Sequence, residues 1–301
     1  MPSEIIQWFP GHMAKTRRLI TENLKHVDIV IEILDARIPY SSRNPEINRL
    51  CAEKPRIVLL NKATLADPAQ TKIWCERFSG EFTACIPTDC VSGDGINQIS
   101  PAIRKILHEK LERYEAKGMT GRRLKAMVLG IPNVGKSSLI NKISGNKKAK
   151  VENRPGVTLD KQWFTTSIGL DLMDMPGILW PKFDDRKVGE NLAITGAIKD
   201  AVVDVEALAV SLCGRLRTLY PDLLSTRYKL GDLAQYEDLD DYDLFQLIGK
   251  KRGFLISGGE INTERTANML LDEFRSAKIG RITLDGIFIK NKNEETEDAG
   301  V

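Results

Sequence analysis

The chain has 301 residues, of which 28% are charged and 42% apolar, with a formal charge of +3. That balance describes a globular protein long enough for a full α/β domain and a smaller second unit. It is too nearly neutral to demand a nucleic-acid partner, so local basic patches must decide that point. No run of about 18 apolar residues exists, so no membrane span is expected. The opening MPSEIIQWFPGHMAK lacks the apolar stretch of a secretory signal. Five scattered cysteines without a Cys-x-x-Cys pair, and three histidines far apart, fit reduced thiols in a cytoplasmic protein and argue against a zinc site.

In chain order, residues 12–26 read as an amphipathic helix, with Leu19, Ile20 and Leu24 on one side. The apolar runs DIVIEILD (28–35), RIVLLN (56–61) and FTACIP (82–87) read as buried parallel strands. Helices are expected between and after them, near 44–53, 67–78 and 95–116. The polar stretch 115–123 reads as an exposed connection, LKAMVLG (124–130) as another strand, and QWFTTSIGLDLMDMPG (162–177) as a hairpin. This alternation of strand and helix argues for a mostly parallel sheet covered on both faces.

From about residue 183 the pattern turns helical. Val205, Leu208, Ala209, Leu212, Leu216 and Leu219 recur at helical spacing behind a capping Asp204. Asn262 or Thr263 could cap a second helix lined by Ala267, Leu270, Leu271 and Phe274. The short ITLDGIFI (282–289) reads as a strand, and the acidic end NKNEETEDAGV as a disordered tail. The expected division is 1–183, an α/β nucleotide-binding domain; 184–286, a small all-α domain; and 287–301, the tail.

GIPNVGKS (130–137) fits Gly-x-x-x-x-Gly-Lys-Ser between a strand and a helix, the context a phosphate loop requires. Gly130 and Gly135 let backbone amides turn toward phosphates. Lys136 can reach the β- and γ-phosphates, and Ser137 can give its hydroxyl to Mg2+. DMPG (174–177) supplies Asp174 for the same metal and a Gly177 amide for the γ-phosphate. Thr158, in RPGVT (154–158), could join the metal only when the γ-phosphate is present, which would make that loop a switch.

NKAT (61–64) resembles the Asn-Lys-x-Asp motif by which GTPases read guanine, and TDCVSGDG (88–95) resembles the loop whose amide contacts the guanine oxygen. Both precede the phosphate loop, whereas an ordinary GTPase carries them after it. Joining the old termini and breaking the chain after DMPG restores the usual order, with the helix at 12–26 following DMPG. That order, together with WFPGHMAK (8–15), ILDARIPYSSRNP (33–45), LLNKATLAD (59–67), GIPNVGKSSLIN (130–141), RPGVT, DMPGILWPKF (174–183) and EFRSAKIGRITLD (273–285), resembles the circularly permuted GTPase family over nearly the whole chain.

The resemblance implies a circularly permuted Ras-like P-loop domain, with a six-stranded sheet and helices on both faces, followed by a small all-α domain. It implies GTP hydrolysis late in assembly of the large ribosomal subunit, with nucleotide-gated binding to ribosomal RNA, by a protein monomeric when free. Nucleotide contacts are expected at Asn61, Lys62, Thr64, Asp89, Cys90, Asn133, Val134, Gly135, Lys136, Ser137, Ser138, Thr158 and Gly177. Mg2+ is expected at Ser137, Thr158 and Asp174, and K+ at Asn133. His12, Lys136 and Gly177 are the expected catalytic residues, His12 on a loop ahead of the first helix. Ile178 stands where Ras-like enzymes often carry a water-orienting glutamine, so intrinsic turnover is expected to be slow.

One departure is Thr64, where the motif carries Asp. A hydroxyl cannot match a carboxylate that accepts two hydrogen bonds, so weakened guanine recognition is expected, along with tighter GTP binding by Thr64→Asp. The competing reading is a nucleotide-gated RNA- or protein-binding module with negligible turnover; a small-molecule kinase fits less well, lacking any sign of an acceptor pocket or lid. Candidate RNA-facing basic runs are Lys15–Arg18, Arg122–Lys125, Lys147–Lys150, Lys250–Arg252 and Arg275–Arg281.

Overall fold

The computed structural model describes residues 10–145, 162–180, 183 and 185–287, with side chains from residue 15 onward. Thr158 and its loop, Lys147–Lys150, and residues 288–301 of the expected tail lie outside the described residues.

Among the described residues six strands form one sheet: β1 (Ile29–Asp35), β2 (Arg56–Asn61), β3 (Thr83–Pro87), β4 (Leu124–Gly130), β5 (Gln162–Thr165) and β6 (Leu170–Asp174). Their order is β3-β2-β1-β4-β6-β5, parallel throughout except for β5, which runs antiparallel to β6. Every residue of β1 and β2 is buried, as strands covered on both faces must be.

Alternate side chains go to opposite layers, the two-residue period of a strand. Ile29, Ile31 and Ile33 of β1, Ile57 and Leu59 of β2, and Ala126 and Val128 of β4 share a core with Ile99 and Ile103 of α4 (Ile99–Ile106) and Leu139, Ile140 and Ile143 of α6 (Lys136–Ser144). Val30, Met127, Leu129 and Met173 point the other way, to Ile20 of α1 (Pro10–Leu24) and Ile47 of α2 (Pro45–Leu50). Val58 and Leu60 pack on Trp74 of α3 (Pro68–Phe78). Ile20 also meets Met175 and Ile178. The first helix therefore packs on the segment that, without permutation, would lead into it.

Two helical expectations need correction. Pro10 opens α1, where its missing N–H costs nothing, so His12 lies in the first helical turn and not on a loop. The helix expected at 95–116 is a 3₁₀ turn at Ile96–Gln98, then α4, then α5 (His108–Ala116). Pro101 has no N–H to donate, so it is tolerated only near a helix start, and α4 begins two residues before it.

Among the described residues the remaining α-helices are α7 (Arg186–Ile194), α8 (Val205–Leu219), α9 (Pro221–Tyr228), α10 (Asp241–Lys251) and α11 (Thr263–Arg275). Asp204 caps α8 by accepting from the Ala207 N–H, and Asn262, not Thr263, caps α11 through Arg265. Leu212, Leu216, Leu270 and Phe274 belong to the same continuous core as Ile31 and Val128. The expected strand at 282–289 is absent over its described residues. Ile282 N–H donates to Leu65 O (3.2 Å) and Leu284 N–H to Arg37 O (2.8 Å), so this segment is a strap laid over the loops that follow β1 and β2.

Candidate nucleotide site

Because β1, β2, β3, β4 and β6 are parallel, their carboxyl ends share one edge, the side on which α/β sheets bind ligands. Asp35, Asn61, Pro87, Gly130 and Asp174 end these five strands. NKAT, the 88–95 loop, the phosphate loop and DMPG are thereby gathered from distant parts of the chain.

Asn61 ties three of these segments together. Its Nδ2 donates to Val134 O (2.7 Å), and its Oδ1 accepts from the Cys90 N–H (2.9 Å). A Cβ on Gly135 would lie 2.2 Å from Asn61 Nδ2, and φ there is +112°, so only glycine fits. Cys90 thus spends its amide on Asn61, and burial pushes its thiol up to about 12, which leaves it unreactive at neutral pH. The 88–95 loop also bonds to NKAT through the Ala63 N–H and Thr88 O (3.0 Å).

Lys62, at φ +61°, places its ammonium 2.9 Å from Asp35 Oδ2. Arg37 grips the same carboxylate from Nε to Oδ1 (2.9 Å) and from Nη2 to Oδ2 (2.7 Å). Burial alone would raise the Asp35 pKa, but the Arg37 and Lys62 charges outweigh it and hold the carboxyl well below the usual range. Arg37 also reaches the carbonyls of Thr195 and Arg275, both at 3.4 Å, which joins the base-reading loop to the helical portion. The sequence reading assigned Asp35 and Arg37 no role; their only signal was the DAR tripeptide ending a buried strand.

In the phosphate loop, Lys136 donates to the carbonyls of Gly130 (3.1 Å) and Ile131 (2.8 Å). Burial lowers its pKa to about 8, partly opposed by the Asp174 charge. Ser137 and Ser138 occupy the first turn of α6, whose free N–H groups favour an anion. Asp174 pairs in register with Val128, two residues before Gly130, and is buried. A hydroxyl and a carboxylate are hard oxygen donors that suit Mg2+. Among the described residues no cluster of three or more His, Cys, Asp or Glu exists to hold a metal by itself, so such an ion would depend on phosphate and water oxygens for its remaining ligands.

Gly177 lies against the loop: a Cβ there would come 2.9 Å from Pro132 N and 3.0 Å from Lys136 Nζ. Ile178 is buried, donates its N–H to Gly130 O (3.3 Å) and packs on Ile20, so it cannot orient a water. Asn133, at φ +57°, donates Nδ2 to Gly196 O (2.9 Å), a contact with the turn after α7 that the sequence reading missed. The His12 side chain lies outside the described atoms.

Several expected RNA-facing cations are engaged by groups of the protein itself. Arg275 binds Asp200 and the carbonyls of Ala193 and Ile194, and Arg281 donates to Ala66 O and Ala63 O, both at 2.8 Å. Arg252 pairs with Glu273 and Arg123 with Asp171. Lys15, Lys250 and Lys251 remain exposed.

The same architecture occurs in a solved GDP-bound YlqF, with a TM-score of 0.61 and 24% identity over 90% of this chain and 99% of that one. Residues 125–220 match the family described as 50S ribosome-binding GTPase. Fold and site together define a P-loop GTPase whose motifs run in circularly permuted order. Ribosome biogenesis GTPase A of Bacillus pumilus is 47% identical over 93% of this chain and 98% of its own. Mitochondrial ribosome-associated GTPase 1 of Mus musculus is 33% identical over 94% and 90%. The chain belongs to the ribosome biogenesis GTPase A family.

Proposed function

We propose that this protein is a cytoplasmic assembly factor that binds and hydrolyses GTP late in maturation of the large ribosomal subunit, gripping ribosomal RNA in one nucleotide state and releasing it in the other. The convergence of NKAT, the 88–95 loop, the phosphate loop and DMPG on one sheet edge carries the reading. Asn61, Lys62, Thr64, Asp89 and Cys90 form the base end. Asn133, Val134, Gly135, Lys136, Ser137 and Ser138 form the phosphate end, with Gly177 facing the γ-phosphate and Thr158 arriving when that phosphate is present. Ser137, Thr158 and Asp174 would hold Mg2+, which would supply positive charge against the phosphates.

With Ile178 buried, the position after DMPG cannot align the attacking water, so free turnover is slow and the ribosomal particle supplies the missing order. His12 is the group assigned to the water, and Asn133 Oδ1 the ligand assigned to K+. The helical portion is the RNA-binding part. It is coupled to nucleotide state through Asn133 and Gly196, and through Arg37, Thr195 and Arg275.

The test is GTP turnover by the free protein and with purified large or small ribosomal subunits. Stimulation by the large subunit alone is expected. Equal rates in all three reactions would leave a nucleotide-gated binding module and defeat the assembly-GTPase reading.

A further inference from the structure

Thr64 donates its hydroxyl to Asp89 Oδ2, across the gap between NKAT and the 88–95 loop. Asp89 is buried, and its other oxygen accepts the N–H groups of Val91 (2.8 Å) and Ser92 (3.1 Å). We propose that Asp89 supplies the carboxylate that reads guanine, with Thr64 as its hydroxyl partner, so that the acid absent from position 64 is provided by the facing loop. This deepens the reading of the base end given above and rests on it.

The donor and acceptor count favours the assignment. A carboxylate has about four lone-pair sites. Val91 and Ser92 occupy those of Oδ1, and Thr64 occupies one on Oδ2, which leaves one on Oδ2. The Thr64 hydroxyl, whose hydrogen is engaged by Asp89, has only lone pairs left to offer. The pair therefore presents two acceptors and no donor. Guanine offers two donors on its Watson–Crick edge, the ring N1–H and the 2-amino group. Adenine offers a bare ring nitrogen there, and xanthine a 2-carbonyl, so either would set acceptor against acceptor, a mismatch that rejects a ligand more strongly than a lost apolar contact does.

The loops are held in register for this task by the bond from Ala63 N–H to Thr88 O and the bond from Cys90 N–H to Asn61 Oδ1. Asp89 is also tied to its own loop by the two amides, so its carboxylate is fixed before any base arrives. The expectation that Thr64→Asp tightens GTP binding is thereby reversed: a second carboxylate at position 64 would face Asp89 and be repelled by it.

The experiment measures competition of GDP, IDP, XDP and ADP against a fluorescent guanine diphosphate on the full-length protein. The proteins are wild type, Asp89→Asn, Thr64→Asp, and the exchange Thr64→Asp with Asp89→Thr. Wild type is expected to favour GDP over IDP, which lacks the 2-amino group, and strongly over XDP. Asp89→Asn replaces an acceptor by a donor and is expected to shift the GDP-to-XDP affinity ratio toward XDP by about 100-fold or more. Thr64→Asp is expected to bind GDP more weakly than wild type, while the exchange, which keeps one hydroxyl and one carboxylate, restores the wild-type order. Parallel loss of GDP and XDP in Asp89→Asn, or tighter GDP binding by Thr64→Asp, would overturn the assignment. Thr64→Asp keeps the native Asp89, so that arm decides even where Asp89→Asn folds poorly. Wild-type protein that bound no diphosphate at all would overturn the base-end reading itself, and this proposal with it.

Discussion

The Lys62 ammonium sits 2.9 Å from the Asp35 carboxylate, a contact that ties the base-reading loop to the centre of the sheet. Asp35 ends β1, and Arg37, on the other side of the carboxylate, touches the helical portion through Thr195 and Arg275. A buried carboxylate between two cations is costly to break, because each removal strands an uncompensated charge. Asp35→Asn is expected to lower stability by about 3 kcal/mol, seen as a thermal midpoint lower by about 6–12 °C, and to weaken GDP binding as Lys62 loses its anchor. The Asp35 pKa is depressed in the folded state. Its contribution to stability is therefore complete above the unfolded carboxylate value near 4 and is lost as pH falls through the folded value. Acid unfolding of the variant should lack that component. An unchanged midpoint would mean that Asp35 is bystander to the loop.

Lys136 has a different pH signature. Burial brings its pKa to about 8 in the nucleotide-free protein, and a phosphate anion beside it would raise that value. Below pH 8 the lysine is already charged and binding needs no proton. Above pH 8 binding must take one up, so affinity is expected to fall by up to about tenfold per pH unit until the pKa of the bound state is reached. Titration with GDP between pH 7 and 9.5, with calorimetry in buffers of different ionisation heat, measures this. Affinity that stays level to pH 9.5 with no proton uptake would separate Lys136 from the phosphates. Lys136→Ala is expected to lose binding at every pH.

The parallel strands were legible because strands covered on both faces read as unbroken apolar runs, and RIVLLN and LKAMVLG coincide with β2 and β4 at both ends. The motifs were legible because phosphate chemistry demands glycine, lysine and hydroxyl at fixed spacing. What escaped was what depends on two distant segments meeting. Asp89 lies 25 positions from Thr64, and nothing local marks them as partners. Arg275 looks like free surface charge until Asp200 and the carbonyls of Ala193 and Ile194 are seen to engage it, and Arg281, though exposed, bonds to the carbonyls of Ala63 and Ala66. ITLDGIFI alternates like a strand, yet the Ile282 and Leu284 amides bond to the loops after β2 and β1, and those of Thr283 and Ile287 to the side chains of Tyr220 and Gln70. The start of α1 at Pro10, two residues before the expected one, follows proline's preference for the first helical position.

Asn133 faces two demands. Its Nδ2 is committed to Gly196 O, which leaves Oδ1 as the atom for a monovalent cation. If K+ sits there during hydrolysis, wild-type turnover stimulated by the ribosomal subunit should be faster in potassium than in sodium at equal ionic strength. Asn133→Ala should be slower by about tenfold or more and indifferent to the choice of ion. A variant that still prefers potassium would show that Asn133 serves only to tie the phosphate loop to the turn after α7.

Gly177 tests how closely DMPG must approach the phosphates. A methyl group there would meet Pro132 N at 2.9 Å, Pro132 Cα at 3.0 Å and Lys136 Nζ at 3.0 Å. Two of these three atoms belong to backbone that is itself held near Gly130, so the DMPG segment would have to move away. Gly177→Ala would then withdraw the amide assigned to the γ-phosphate, while Asn61, Lys136 and the first turn of α6 keep their hold on a diphosphate. The expected result is GDP affinity within a few-fold of wild type and GTP turnover lower by about 100-fold, the scale for losing one oriented donor at a developing oxyanion. Turnover measured under single-round conditions separates this from slow product release. A variant that loses GDP and GTP binding equally would instead show that Gly177 is needed to keep the phosphate loop folded, and that its amide has no separate part in the chemistry.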